Sequence, residues 1–390
     1  MGMVRRVSSS RHFRQKTGEE QRATWLELFF DLVFVFAVTQ LSHTLLEHLT
    51  LAGALQTAFL LLAVWWVWMY TCWFTNWIDP DHATVRMLMF LLMLAGLLMS
   101  AAIPDAFGHK GLLFASGYSF IQVVRTLFIV VASRNRDAVI HRNFLRILAW
   151  LLVSAVAWIA GGLMDGPERL VTWLAALVLE ILGPFVGYHV PGLGRSSTAD
   201  WKIDGAHMAE RCALFVIIAL GESILVTGTT AASLPATPAA VGAFVVAFLG
   251  SVAMWWIYFN IGAERGSRQI AASTDPGRVG RAVYTYFHIP IVAGIVVCAV
   301  ADEISIAHPT GDMDLPSTLV LLGGPALYLA GNVFFKRASA KYYPLSHLVG
   351  LGLLLLLVPA ALHVTPLMLG AATTVVLITV AAWETRSFSR

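Results

Sequence analysis

Apolar positions in this chain run together in stretches of about twenty residues, separated by short polar segments. A hydrocarbon core about 30 Å thick is crossed by roughly 20 apolar residues rising 1.5 Å each, so every such stretch predicts a membrane-spanning helix. Twelve occur, near residues 24–46, 51–74, 85–103, 111–132, 143–163, 170–190, 207–228, 239–262, 282–304, 317–335, 345–363 and 365–384. An even number returns both ends of the chain to one side. The first stretch follows a polar, basic segment and is long enough to span, so it reads as a helix and not as a cleavable signal peptide.

Composition agrees with this pattern. Of 390 residues, 58% are hydrophobic and 13% charged, about half the charged share of an average soluble chain. The fold class expected is therefore all-α integral membrane. The net charge of +3 implies no nucleic-acid partner. Cys72, Cys212 and Cys298 all fall in apolar stretches, which predicts buried thiols and no disulfide framework.

The placement of the basic residues gives the orientation, because short loops rich in Lys and Arg remain cytoplasmic. With the amino terminus inside, 22 of the 26 Lys and Arg lie in cytoplasmic segments, Lys336 among them. Only Lys110 and Arg169 fall in external loops, and Arg125 and Arg211 lie within spans. Both termini are expected in the cytoplasm.

A weak internal duplication accompanies this topology. Glu27-Leu-Phe-Phe-Asp31 and the residues after it parallel Glu210-Arg-Cys-Ala-Leu at an offset of 183. Val64-Trp65-Trp66-Val67-Trp68 parallels Met254-Trp255-Trp256-Ile257-Tyr258 at an offset of 190. The change of seven matches the difference between the outer loops 47–50 and 228–238. The organisation expected is a basic tail (1–23), a first six-helix half (24–190), a cytoplasmic linker (191–206) and a second six-helix half (207–390) of the same orientation. Compositional likeness between aromatic-rich membrane helices is the plainer alternative.

The intramembrane charges supply the candidate chemistry, since ionisable residues at membrane depth face the bundle interior and mark ion or substrate paths. Asp31 lies past the first turn of its helix, where capping no longer explains a carboxylate. Arg125 enters the fourth span at similar depth, which predicts a buried Asp31–Arg125 pair. Glu27 completes a Thr24-x-x-Glu27 capping box or belongs to the same path as Asp31. In the seventh span His207, Glu210 and Arg211 sit at the inner end and Glu222 far along, on one helical face with apolar residues between. Glu210 and Arg211 also suit an interfacial salt bridge. Glu222, flanked by Gly221 and Ser223, has no obvious capping role, and its small neighbours would allow close helix approach. Gln122 and Glu180 read singly as packing residues.

Asn76-x-x-Asp79-Pro-Asp81 and Asp204-x-x-His207-x-x-Glu210 gather oxygen ligands at the inner face. Such a rim can hold Mg²⁺ against a diphosphate, although Asp-Pro-Asp is equally a turn and helix-start sequence. Trp65, Trp66 and Trp68 lie too deep for an interfacial belt and either pack between helices or line a cavity.

Three segments in order, Glu27-Leu-Phe-Phe-Asp31-Leu-Val-Phe-Val-Phe-Ala, Trp73-Phe-Thr-Asn76-Trp-Ile-Asp79-Pro-Asp81 and His207-Met-Ala-Glu210-Arg211 leading to Leu220-Gly221-Glu222-Ser223, resemble the bacterial low temperature requirement A family. That resemblance implies a polytopic membrane protein and no defined activity. Phe29-Phe30-Asp31-Leu-Val-Phe-Val-Phe-Ala is also similar to the Phe-Ser-Asp pore-helix motif of endolysosomal potassium and proton channels, with Phe30 in place of the serine. Two function classes follow. The first is a transporter or channel for a cation, proton or small solute, using Asp31 and Glu222. The second is an intramembrane enzyme acting on a lipid or isoprenoid diphosphate, using Asn76, Asp79, Asp81, His207 and Glu210 with Mg²⁺. No Ser-His-Asp order, phosphate-binding glycine loop or helical histidine pair points to hydrolase, nucleotide or zinc chemistry.

Overall fold

A computed structural model describes residues 12–14, 22–197, 204–260, 280–340 and 343–388. Most of the basic tail, linker residues 198–203 and the charged segment 261–279 lie outside the described residues. The described residues form α1 (Trp25–Glu47), α2 (Leu51–Trp77), α3 (Ala83–Ala102), α4 (Gly111–Ser133), α5 (Ala138–Gly162), α6 (Gly166–Leu182) and α7 (Gly205–Ser233). They continue with α8 (Pro238–Phe259), a π-turn (Arg281–Tyr286) leading into α9 (His288–Ala307), α10 (Leu315–Ala340), α11 (Leu345–Ala361) and α12 (Pro366–Phe388). Ten of these are long and apolar enough to cross a membrane, and α6 and α11 have 17 residues each. The chain is a multi-pass, all-α membrane protein whose outward-facing Leu, Val and Phe side chains contact lipid.

The helices begin where short polar side chains satisfy their first amides. Asp137 Oδ1 accepts from the Val139 and Ile140 amides. Asp204 Oδ1 accepts from those of Ala206 and His207, and Thr237 Oγ1 from that of Ala240. The Asp137 cap starts α5 five residues ahead of the expected 143. The expectation for the sixth span fails at its far end, where α6 stops at Leu182 and not at 190. Pro184 disfavours helix in the residue before it, and the segment then turns through Gly187 and Tyr188, both at positive φ.

The chain divides into two compact units. The first comprises residues 1–37 and 63–207, so it holds the amino-terminal part of α1, most of α2 and α3–α6. Its interior is aromatic: the rings of Tyr118 and Trp158 have centroids 4.2 Å apart, and Phe114 and Trp173 stand 5.5 Å apart beside them. The second comprises residues 38–62 and 208–390, joining the α1–α2 hairpin end to α8–α12 and nearly all of α7. Its core is aliphatic and includes Leu45, Val300, Val320, Leu321 and Leu369. There α9 and α10 meet backbone to backbone at Gly294, Gly324 and Gly331; a Cβ on Gly294 would stand 2.5 Å from the Tyr328 amide nitrogen.

Candidate functional site

In the first unit, the capping box expected at the start of α1 forms. The Glu27 amide donates to Thr24 Oγ1 at 3.3 Å, and the Thr24 amide donates to Glu27 Oε2 at 2.8 Å. The same fully buried carboxylate also takes Arg14 Nη2 at 2.8 Å on Oε2 and lies 2.8 Å from His207 Nε2 through Oε1. The other His207 nitrogen, Nδ1, faces Asn76 Nδ2 at 3.1 Å. Asn76 is fixed in turn, with Nδ2 donating to the Asp204 carbonyl and Oδ1 accepting the Asp204 amide, both at 2.9 Å. With an amide donor on Nδ1, the network requires the neutral imidazole protonated on Nε2, which donates to Glu27. Thus Asn76, His207 and Glu27, drawn from separate sequence constellations, form one hydrogen-bonded chain.

Asp79 and Asp81 do not join it. Asp79 Oδ1 accepts the Asp81 amide at 3.0 Å, and exposed Asp81 lies 3.6 Å from Arg86. Both belong to the turn that starts α3, and among the described residues no three His, Cys, Asp or Glu side chains converge as metal ligands. Glu210 and Arg211 lie one turn beyond His207, the first half-buried and the second fully buried.

Asp31, one turn after Glu27 and fully buried, accepts Trp68 Nε1 at 2.8 Å. The expected ion pair with Arg125 does not form. Arg125 Nη1 donates to the Val67 carbonyl at 3.1 Å and to Thr71 Oγ1 at 2.8 Å, its Nη2 bonds Gln122 Oε1, and the guanidinium lies over Tyr70. The reason is local: Gln122, one turn earlier on α4, accepts from Arg125 through Oε1 and donates to Glu180 through Nε2. Glu180 Oε2 takes Tyr118 Oη at 2.7 Å and Gln122 Nε2 at 2.8 Å, while Oε1 takes Ser154 Oγ at 2.5 Å and Trp158 Nε1 at 3.0 Å.

The second unit contains a comparable polar knot that sequence reading missed. Lys336, assigned from its sequence to a cytoplasmic loop, lies inside α10 and is 2% exposed. Its Nζ donates to Glu384 Oε1 at 2.6 Å and to the Ile257 carbonyl at 3.2 Å, and lies 3.2 Å from His347 Nε2. A loop assignment follows naturally where an apolar stretch meets Lys336-Arg337; only the acid on another helix reveals that the lysine stays buried.

Glu222 differs from Glu27, Glu180 and Glu384. It is 2% exposed, and among the described residues its one hydrogen bond comes from Thr39 Oγ1 at 2.6 Å. The titratable groups that act on it are His43 and a second acid, Glu303 of α9. Its neighbour Ser223 turns to another face, lying 3.2 Å from Asp302 Oδ2 and 3.3 Å from Ser251 Oγ. Asp302 and Glu303, adjacent near the end of an apolar stretch, were not singled out from sequence because acids there read as a helix end. The close helix approach that Gly221 would allow is absent, since a Cβ there would meet nothing within 4 Å.

The model of the bacterial low temperature requirement A protein matches residues 22–382, a range that includes Glu27, Asp31, His207, Glu222 and Asp302. The chain belongs to the low temperature requirement A family. It is also 42% identical over 371 residues to an uncharacterised protein of Rhizobium meliloti, covering 95% of this chain and 91% of that one. No solved structure matches it. Family membership supports the membrane setting and leaves activity to be argued from the carboxylates.

Proposed function

We propose that this protein transports a proton or small cation across the bacterial inner membrane, with Glu222 as the carboxylate that takes it up and releases it. The observation that carries this reading is the contrast between Glu222 and three other buried acids, Glu27, Glu180 and Glu384. Glu180 has four donors, Glu384 has Lys336, and Glu27 has Arg14 and His207. Among the described residues Glu222 has one hydroxyl donor, with His43 and a second acid, Glu303, acting on it. An ionised carboxylate so placed costs on the order of several kcal/mol, and a bound proton or cation removes that cost. Asp31, held by Trp68, is the second carboxylate assigned to the path. The basic loops favour cytoplasmic termini.

Two six-helix repeats of one orientation fit this reading. Arg125 of α4 bonds the Val67 carbonyl, and Lys336 of α10 bonds that of Ile257. Val67 and Ile257 are the residues matched at the offset of 190, so one cation-to-carbonyl clamp occurs in each half. The test is flux into liposomes under imposed proton, sodium and potassium gradients. Wild-type flux lost in Glu222→Gln supports the assignment. Unaltered flux in correctly inserted Glu222→Gln removes Glu222 from the mechanism, and no wild-type flux with any ion overturns transport.

A further inference from the structure

The second unit encloses a cavity of about 30 Å³ between α8, α9, α10 and α12. That volume admits a water-sized guest. Most of the wall is apolar, but Asp302, Ser305, Thr373 and Thr374 line it, as do Leu321 and Pro325. Four features of this wall point to a ligand.

Asp302 is a carboxylate with one hydroxyl contact, from Ser223, and no cationic side chain among the described residues pairs with it. Ser305 is 6% exposed, and its hydroxyl has no hydrogen-bond partner among the described residues. Pro325 lies inside α10 and has no amide hydrogen, so the Leu321 carbonyl one turn earlier lacks its helical donor. The hydroxyl of Thr373 donates to the Gly370 carbonyl at 3.0 Å and that of Thr374 to the Val246 carbonyl at 3.5 Å, which leaves their lone pairs to accept. The wall therefore offers up to five oxygen-bearing groups, one of them charged, and no nitrogen ligand, with the sulfurs of Cys298 and Met254 on the same wall.

We propose that this cavity binds a dehydrated sodium ion, held by Asp302, Ser305, the two threonine hydroxyls and the Leu321 carbonyl. Coordination by these oxygens selects a hard cation, and a neutral thiol or thioether does not compete for one. One carboxylate balances one positive charge, which disfavours calcium and magnesium. A proton would need only Asp302 and would leave Ser305 and the carbonyl unused. A proline-interrupted helix lending a carbonyl to an ion is also how irregular backbone is tolerated at membrane depth. The site is separate from Glu222 and deepens the transport reading by naming a co-bound ion; its test does not depend on flux.

Purified protein in detergent, exchanged into choline chloride, would be melted with added NaCl, KCl or choline chloride at constant ionic strength. The expected result is a saturable rise in Tm with sodium, absent with choline, abolished in Asp302→Asn, and requiring at least about tenfold more sodium in Ser305→Ala. The melts read no flux, so failure of the transport reading and failure of this site are distinguishable. Should Asp302→Asn fail to fold, Ser305→Ala and Pro325→Ala, which restores the amide, carry the test. A wild-type sodium response equal to that with choline, or one unchanged in the folded variants, overturns the site.

Discussion

Thr39 Oγ1 donates to Glu222 Oε2 at 2.6 Å, and the two residues stand 183 positions apart, the interval at which Glu27 is matched to Glu210. Corresponding positions on two related helices touch where those helices flank a common axis. On the duplication reading, a hydroxyl in one half therefore faces an acid in the other. Loss of a hydrogen bond to a charged group costs about 1.5–3 kcal/mol. Thr39→Val should thus reduce flux about tenfold or more, and Thr39→Ser should restore it. Equal rates in all three proteins would exclude this hydroxyl from the mechanism.

Glu180 should behave oppositely. Its four donors come from α4 and α5 while it stands on α6, so it joins three helices. Removing one member of a buried polar network costs about 3–5 kcal/mol. Glu180→Ala should unfold at markedly lower temperature in detergent, yet the folded fraction should transport at the wild-type rate. A normal melting temperature with lost flux would reassign Glu180 from the scaffold to the path.

The contrast explains what the sequence could reveal. Apolar length located nearly every span, because hydrocarbon thickness sets it, and the Thr24-x-x-Glu27 spacing announced a real cap. Partner choice was not legible. Asp31 and Arg125 share a depth, but depth says nothing of rotation about each helix, and Arg125 turns to Gln122. Lys336 was misread because a hydropathy window cannot see Glu384 across the bundle. Asn76, His207 and Glu27 were each noticed, but their convergence requires the packing of three helices.

Glycine contacts offer a paired test of packing. A Cβ on Gly294 would press against the backbone of Tyr328, whereas one on Gly352 would meet nothing within 4 Å. Gly294→Ala should destabilise by about 1–3 kcal/mol through overpacking. Gly352→Ala, within helix α11, should be neutral or stabilising by up to about 1 kcal/mol. Thermal melts that rank the two variants in the other order would contradict the α9–α10 contact.

Asp314, in the loop before α10, gives a pH dependence outside the membrane. Hydrogen bonds from Ser317, including its amide at 2.8 Å, hold the Asp314 carboxyl below the usual range. A lowered native pKa stabilises above the unfolded value, near 3.9, and that stabilisation is lost as pH falls through the native value. Asp314→Ala should therefore cost about 1 kcal/mol at pH 7, with the difference from wild type closing below about pH 4. A gap in Tm that persists undiminished at pH 3 would show that the carboxylate charge is not what the helix start uses.

Asn76 is the residue on which the Glu27 chain turns, and its substitution separates shape from hydrogen-bond polarity. Asn76→Asp keeps the size but replaces the donor facing both the Asp204 carbonyl and His207 Nδ1 with an acceptor. Against the carbonyl this creates repulsion between oxygens in a buried setting. Against the ring it forces a proton onto Nδ1, either by charging the imidazole or by taking the proton from Nε2 and leaving Glu27 without that donor. Burying an unsatisfied polar group costs about 1–3 kcal/mol for each group left unpaired, so the melting temperature should fall clearly. Adding His207→Ala to Asn76→Asp should then cost less than it does in wild type, because the contact it removes is already impaired. Strictly additive losses would mean that the amide, the imidazole and the carboxylate act independently and do not form one chain.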